Sequence, residues 1–454
     1  MKKYISLLIV ATILIVACNH PTTNSNEISV RDRISSAVIY EVNIRQYTPE
    51  GTFSAFTSKH LERLSKLGMD ILWLMPVNPI SEKNRKGSLG SYYAVADYKK
   101  VNPEMGSLDD LKNLVNKAHE LGMYVILDWV ANHTGWDNPW ITEHPDWYTH
   151  DSTGSIISPV PDWSDVADLN YDNDTMRIAM IDAMKYWIKE VNIDGYRCDA
   201  AAMVPVDFWV SARESIDSIK PVFMLAEAWE PELLVKAFDA GYAWELHHMM
   251  NRIAKSESSA ASLDHYLTWY DSLYTKDDIL MNFITNHDEN TWAGSEYERM
   301  GIAVNTFAVL TYFMPGMPLI YSGQEAGLTK RLRFFEKDTI NQSDTALYSF
   351  YRNLNHIKHT NPALAAGIFS GKLTPIQTGN KNIFAFVREK DNNRILAIFN
   401  LSDSTETANL NPESDSSIGY TDMFSGQSYN IGSELKLTPW KYICCLLTDS
   451  ISAK

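Results

Sequence analysis

Seven residues capable of acid–base or charge chemistry fall at the ends of short apolar runs in this chain of 454 residues. YVILDW (124–129) contains Asp128 and is followed by Asn132 and His133. IDGYRCD (193–199) ends on Arg197 and Asp199, VFMLAE (222–227) on Glu227, and LMNFITN (280–286) leads into His287 and Asp288. One acid at such a place is as well explained by a helix cap or a loop ion pair. Four carboxylates with an arginine and two histidines are not, because clustered like charges cost stability unless they are used. Acids without a cysteine set or three histidines suit either a magnesium site or a glycoside-cleaving site. In the latter one carboxylate attacks and another protonates, across an oxocarbenium-like transition state. Arg197 lies two residues before Asp199 and so on the same face of a strand, where it keeps Asp199 ionised and aimed. Glu227 has Leu225, Ala226 and Trp229 as near neighbours in sequence, apolar company that favours the protonated form.

The elements that must position these residues follow a repeating pattern. Apolar runs at 37–43, 70–75, 124–129, 193–199, 222–227, 242–246, 280–286 and 318–323 alternate with amphipathic stretches such as LDDLKNLVNKAHELG (108–122), where Gly122 is the expected stop. The runs lack strict alternation, as parallel strands buried on both faces do. Eight strand–helix units predict an α/β fold, a (β/α)8 barrel over residues 33–366, whose strand ends carry the active site. An insertion is expected at 134–170, with four of the 13 tryptophans: Trp136, Trp140, Trp147 and Trp163. They either stack on a ligand or pack the insertion's own small core, the better reading for most of them. From residue 367 to 454 alternating strands and an Asp391–Asn393 turn predict a small antiparallel β-sandwich.

Composition narrows the function classes. Lys and Arg number 40 against 56 Asp and Glu, a formal charge of −16 that disfavours a polyanionic partner such as nucleic acid. Aromatic residues at 11% exclude a disordered chain. Lys2 and Lys3 followed by an apolar run form a signal peptide at 1–17. Ile15 to Cys18 resembles a bacterial lipoprotein processing box, the alternative being an ordinary signal with a chance cysteine. Cys18 would then carry a lipid, with 18–32 as a polar tether and the cell envelope as the location. Asn19, with no acidic run nearby, points to the outer membrane. Cys198, Cys444 and Cys445 read as buried apolar residues.

DWVANH (128–133), GYRCDA (195–200), AEAW (226–229) and FITNHD (283–288) resemble, in order and spacing, the four signature regions of the α-amylase family, glycoside hydrolase family 13. YYAVADY (92–98), PDWSDVADLN (161–170) and GMPLIYSGQE (316–325) extend the likeness to about residues 33–450. The resemblance implies Asp199 as nucleophile, Glu227 as acid then base, and Asp288 as the residue gripping the 2- and 3-hydroxyls. It implies that Arg197 orients Asp199, that His133 and His287 contact the cleaved sugar, that Tyr93 stacks on it, and that Asp128 supports its neighbours. The implied activity is retaining hydrolysis of α-1,4 bonds in starch-derived glucans, with the two carboxyls about 5–6 Å apart and no cofactor in the chemistry. A glucanotransferase, an α-glucosidase or an isomerase would use the same site, and a non-catalytic glucan-binding protein would have lost the nucleophile or the acid. Two departures stand out. Ala202 and Met203 replace the Lys and His common after the nucleophile. Asn132 and Asp168 match calcium ligands of the family but equally suit hydrogen bonds tying the insertion to the barrel.

Overall fold

Segments rich in Val, Ile and Leu and buried on both faces can satisfy their backbone groups only by pairing with like segments. The computed structural model describes residues 34–342, 345–410 and 418–449. The signal peptide, Cys18 and the tether lie outside the described residues.

The paired segments are β1 (Ile39–Val42), β2 (Ile71–Leu74), β3 (Tyr124–Trp129), β4 (His133–Gly135), β5 (Val166–Asp168), β6 (Gly195–Cys198), β7 (Phe223–Ala226), β8 (Gly241–Tyr242), β9 (Leu280–Asn282) and β10 (Met317–Tyr321). Eight of them form one parallel sheet in the order β7-β6-β3-β2-β1-β10-β9-β8. A parallel bridge from Leu225 to Ala240, with the Ala226 N–H donating to the Ala240 carbonyl at 2.8 Å, joins the two ends and closes the barrel. Helices between the strands start where the sequence supplies caps. Ser107 and Asp110 form a reciprocal capping box on the helix Leu108–Glu120, and Gly122 follows that helix at φ +79°. One expected strand is mostly something else. In 242–246 only Tyr242 is in a strand, and Trp244 opens the helix Trp244–Ala254. The reason lies in the spacing of Leu246, Met249, Met250 and Ile253, the buried stripe of a helix.

The two-residue period of a strand sorts side chains between two cores. Tyr40 and Val42 pack outward against the helices, whereas Ile39, Ile71, Trp73, Ile126, Phe223 and Leu225 fill the barrel interior. The same inward set continues up each strand to Glu41, Asp128, Arg197 and Glu227, all inside or at the mouth of the barrel. Room between the strands is short: a Cβ on Gly195 would stand 1.8 Å from the Phe223 carbonyl oxygen.

The insertion is anchored by the antiparallel ribbon β4–β5, which places His133 opposite Asp168. Trp140 packs on Tyr98 and Trp147 with ring centroids 5.0 Å apart in each case, and the Trp136 indole N–H donates to the Ser164 carbonyl at 3.0 Å. Three of the four tryptophans therefore serve the insertion's own packing. The C-terminal strands are β11 (Lys372–Pro375), β12 (Ile383–Lys390), β13 (Asn393–Asn400), β14 (Glu406–Asn409), β15 (Ile418–Asp422), β16 (Ser428–Tyr429), β17 (Glu434–Leu437) and β18 (Tyr442–Asp449). A six-stranded antiparallel sheet, β11-β12-β13-β18-β15-β16, faces the pair β14–β17 across a core containing Ile383, Ile398, Ala408, Leu437 and Cys445. Cys198, Cys444 and Cys445 are buried free thiols. No helix among the described residues is long and apolar enough to cross a membrane.

Candidate active site

Asp199 and Glu227 each stand one residue beyond a barrel strand, and the ladder extends to hold them. The Asp199 N–H donates to the Trp129 carbonyl at 2.9 Å and the Glu227 N–H to the Cys198 carbonyl at 3.0 Å. Between them lies Arg197, with no solvent exposure. Its Nη1 donates to Asp128 at 2.8 Å and to Asp199 at 3.1 Å, its Nε to the Tyr242 hydroxyl at 3.1 Å, and its Nη2 is 2.9 Å from Glu227 Oε2. One guanidinium thus reaches an oxygen of each of these carboxyls. The Ala200 N–H, on a residue in the left-handed region at φ +44°, donates to Glu227 Oε2 at 2.8 Å. Strained backbone of this kind gathers at functional sites.

The electrostatics differ from the expectation at two points. Glu227 Oε2 meets the Arg197 guanidinium and a backbone donor, polar partners that the apolar residues of its own strand did not foretell. Asp199 is pushed well above the usual carboxylate range, by burial first and then by the Glu227 charge, with Arg197 pulling the other way. Sequence spacing showed the guanidinium beside Asp199 but not the desolvation, which arises only when the barrel closes around it. The proton affinity of Asp199 therefore depends on the charge of the Glu227 carboxyl beside it.

Asp128 is fully enclosed and accepts from Trp73 Nε1 at 3.1 Å and from the Tyr93 hydroxyl at 2.9 Å, besides Arg197. The Tyr93 hydroxyl lies 2.8 Å from His287 Nε2, and the two rings stack at 5.5 Å. His287 is flanked by Glu41, 2.6 Å from Nδ1, and Asp288, 3.2 Å from Nε2. Burial opposes its charge, but these two acids hold the imidazolium well above its ordinary range. Burial likewise opposes the Asp288 charge, yet His287 and Arg197 keep that carboxyl below the usual range. His133 is buried and neutral, its pKa lowered to about 4 by desolvation.

Asp199, Glu227, Asp288, Tyr93, His133 and His287 all line one cavity of about 590 Å³. Arg197 and Asp128 lie beneath it. Asn132 and Asp168 do not line it: the Asn132 amide sits 3.3 Å from His133 Nδ1, and the Asp168 carboxyl is half-buried and raised by desolvation, with Thr149 as its compensating donor. Among the described residues, no group of three or more His, Cys, Asp or Glu side chains is placed to share a metal ion. The sequence reading missed Glu41, although a lone acid in the apolar run AVIYEVN was a usable signal. It also missed Lys86, Trp244, Trp292, Phe334 and Phe335, cavity-lining residues whose loop or helix positions carry no periodic signature. Trp163, the fourth tryptophan of the insertion, lines the cavity and meets the His133 ring edge-on at 5.6 Å.

A closed (β/α)8 barrel with two carboxylates bridged by a buried arginine at the C-terminal strand ends is the construction of a glycoside-cleaving enzyme. The chain belongs to the α-amylase family, whose catalytic-domain profile matches residues 23–163 and 145–363. Alpha-amylase 3 of Dictyoglomus thermophilum is 25% identical over 456 residues, covering 83% of this chain and 87% of that one. A Bacillus cyclomaltodextrinase is 28% identical over 374 residues, covering 75% of this chain but 64% of its own length. The crystal structure of an alpha-amylase from Lactobacillus plantarum superposes with a TM-score of 0.82 at 30% identity, covering 91% of this chain and 99% of that one.

The folded pKa of His287 is raised above the ordinary 6.5, so its contribution to stability is full below that value and is lost as pH rises through the folded pKa. Glu41→Gln removes one of the two acids and lowers that folded pKa. In Glu41→Gln the His287 ring should therefore titrate at lower pH by NMR, and an unmoved titration would remove Glu41 as a cause of the shift.

Proposed function

We propose that the chain is a retaining glycoside hydrolase acting on the α-1,4 bonds of starch-derived glucans by double displacement. The observation that carries this reading is the single buried guanidinium of Arg197 holding Asp128, Asp199 and Glu227 at the floor of one cavity. The Asp199 carboxylate attacks the anomeric carbon while Glu227 gives its proton to the departing glycosidic oxygen, so one C–O bond forms as another breaks. The resulting glycosyl ester is opened by a water whose proton returns to Glu227, and two inversions restore the α configuration. Asp288, ionised beside the His287 cation, accepts hydrogen bonds from the sugar hydroxyls. Neutral His133 donates without adding charge, and Tyr93 supplies a ring face. The family resemblance and the relatives named amylase and cyclomaltodextrinase support the substrate class.

Transfer to a second sugar instead of water is the runner-up. It is favoured by Ala202 and Met203, which put small and apolar side chains on the cavity wall where a charged pair is common in the family. Asp199→Ala and Glu227→Gln should each lower turnover of maltoheptaose by about a thousandfold or more with the fold intact by circular dichroism. Wild-type rates in both variants would remove the assignment. In the same assay, only shorter products mean hydrolysis, and products longer than the input mean transfer.

Two further readings belong to the proposal. Asn132 and Asp168 supply oxygen ligands to a structural calcium ion, supported by the desolvated Asp168 carboxyl, which has no ion-pair partner among the described residues. EDTA should lower the melting temperature of the wild type and leave that of Asp168→Asn unmoved. A chelator-insensitive wild type means the two side chains serve only as hydrogen-bonding ties. Cys18 carries a lipid that anchors the protein in the cell envelope, on the outer membrane, supported by the processing box at Ile15–Cys18. A fatty-acid label should enter the wild type and not Cys18→Ser, and an unlabelled wild type would leave a plain cleaved signal.

A further inference from the structure

Five consecutive residues, Lys86 to Gly90, run between the insertion and the loop after β10, and they are fastened at both ends. On the insertion side, Lys86 Nζ is 3.0 Å from the buried Asp165 carboxylate and donates to the Asp162 carbonyl at 2.6 Å. On the other side, the Ser88 N–H and hydroxyl both donate to Glu336, and the Leu89 N–H donates to the Phe335 carbonyl at 3.0 Å. Gly87 between them has φ +64°, and a Cβ there would lie 2.4 Å from the Phe335 Cβ, so backbone is pressed against the facing loop. Arg45, itself buried, staples the far end, donating to the carbonyls of Gly90 at 3.1 Å, Leu89 at 3.2 Å and Phe334 at 3.3 Å. The result is a rigid crossbar rather than a free loop.

Its position relative to the chemistry is set by ring contacts. The insertion end carries Trp163 against His133, and the opposite end carries Phe334, whose ring stacks on Tyr93 at 6.3 Å. Lys86, Asp165, Trp163, Phe334 and Phe335 line the same cavity as the two catalytic carboxyls. The crossbar thus stands on the side of the sugar that becomes bonded to Asp199. Past Glu227 the cavity wall is made by Ala202 and Met203, the latter 45% exposed and, among the described residues, without a facing segment pinned across it.

In an α-1,4 glucan the departing oxygen leads toward the reducing end, and the 4-oxygen of the attacked sugar leads toward the non-reducing end. We propose that the Lys86–Gly90 crossbar, locked by the Lys86–Asp165 ion pair, blocks passage beyond the attacked end, so that the enzyme removes short units from non-reducing termini and does not cut within chains. This assignment deepens the glucan reading above and depends on it. A buried partner makes the ion pair a durable closure, since opening it would strand the Asp165 charge in a largely dry site.

The test uses the full-length enzyme with maltoheptaose and with maltoheptaose whose non-reducing 4- and 6-hydroxyls are capped as an ethylidene acetal, products being resolved by chromatography. The wild type should cleave the free-ended substrate about a hundredfold faster than the capped one. Lys86→Ala and Asp165→Asn should each raise the capped-to-free rate ratio by about tenfold. Capped and free substrates cleaved at similar rates by the wild type would overturn the proposal. So would a ratio unchanged in both variants. Cleavage of neither substrate by the wild type would instead bring down the glucan reading, and the crossbar assignment with it.

Discussion

A guanidinium with no access to water is tolerable only if its charge and its donors are met by the protein. Arg197 meets that condition by engaging side chains from three other strand ends of the barrel: Asp128 of β3, Glu227 just past β7 and the Tyr242 hydroxyl of β8. The barrel cannot drift without uncovering this cation, and the cation cannot be satisfied unless the barrel closes. Lysine in its place would present a point charge where a flat fork of donors is required.

Around that arginine the charge balance is deliberately uneven. Glu41, Asp128, Asp199, Glu227 and Asp288 face two cations, Arg197 and His287, within one desolvated region. Burial answers the excess by making protons adhere: Glu41 and Asp199 are both pushed upward, and His287 keeps its proton between two acids. Close carboxyls whose charges act on one another suit a reaction in which one acid must give up its proton as its neighbour attacks. At the opposite end of β6, Asp194 accepts the Val125 N–H and pairs with His119 and Lys220, an arrangement that locks strands and faces no cavity of catalytic residues. The two ends of one strand thus use acids for different ends.

The cavity is asymmetric in the same economical way. One part of its lining comes from segments distant in sequence, pinned by Arg45 and by the Lys86–Asp165 pair, while another part is Ala202 and Met203. On the proposed reading, rigidity is concentrated where a glycosyl group must be held still, and the apolar part faces the leaving or accepting molecule.

The strands, the inserted subdomain and the all-β tail were readable from the sequence because each rests on local periodicity, and strand ends pointed to Asp128, Asp199, Glu227 and Asp288 without any coordinates. Residues 242–246 were misread where an apolar run was too short to distinguish a strand from the first turn of a helix. Glu41 was overlooked because its meaning comes from His287, 246 positions away. Beside the apolar residues expected around Glu227 stands Arg197 from the neighbouring strand, a relation that exists only across the sheet. The crossbar joins three loops with no periodic signal. Sequence alone determined which residue types stand at which end of each strand, since that is a matter of spacing along one chain. Tertiary structure decided which charges share a dry volume and which loops meet around the cavity, because desolvation and contact are properties of segments brought together, not of any one of them.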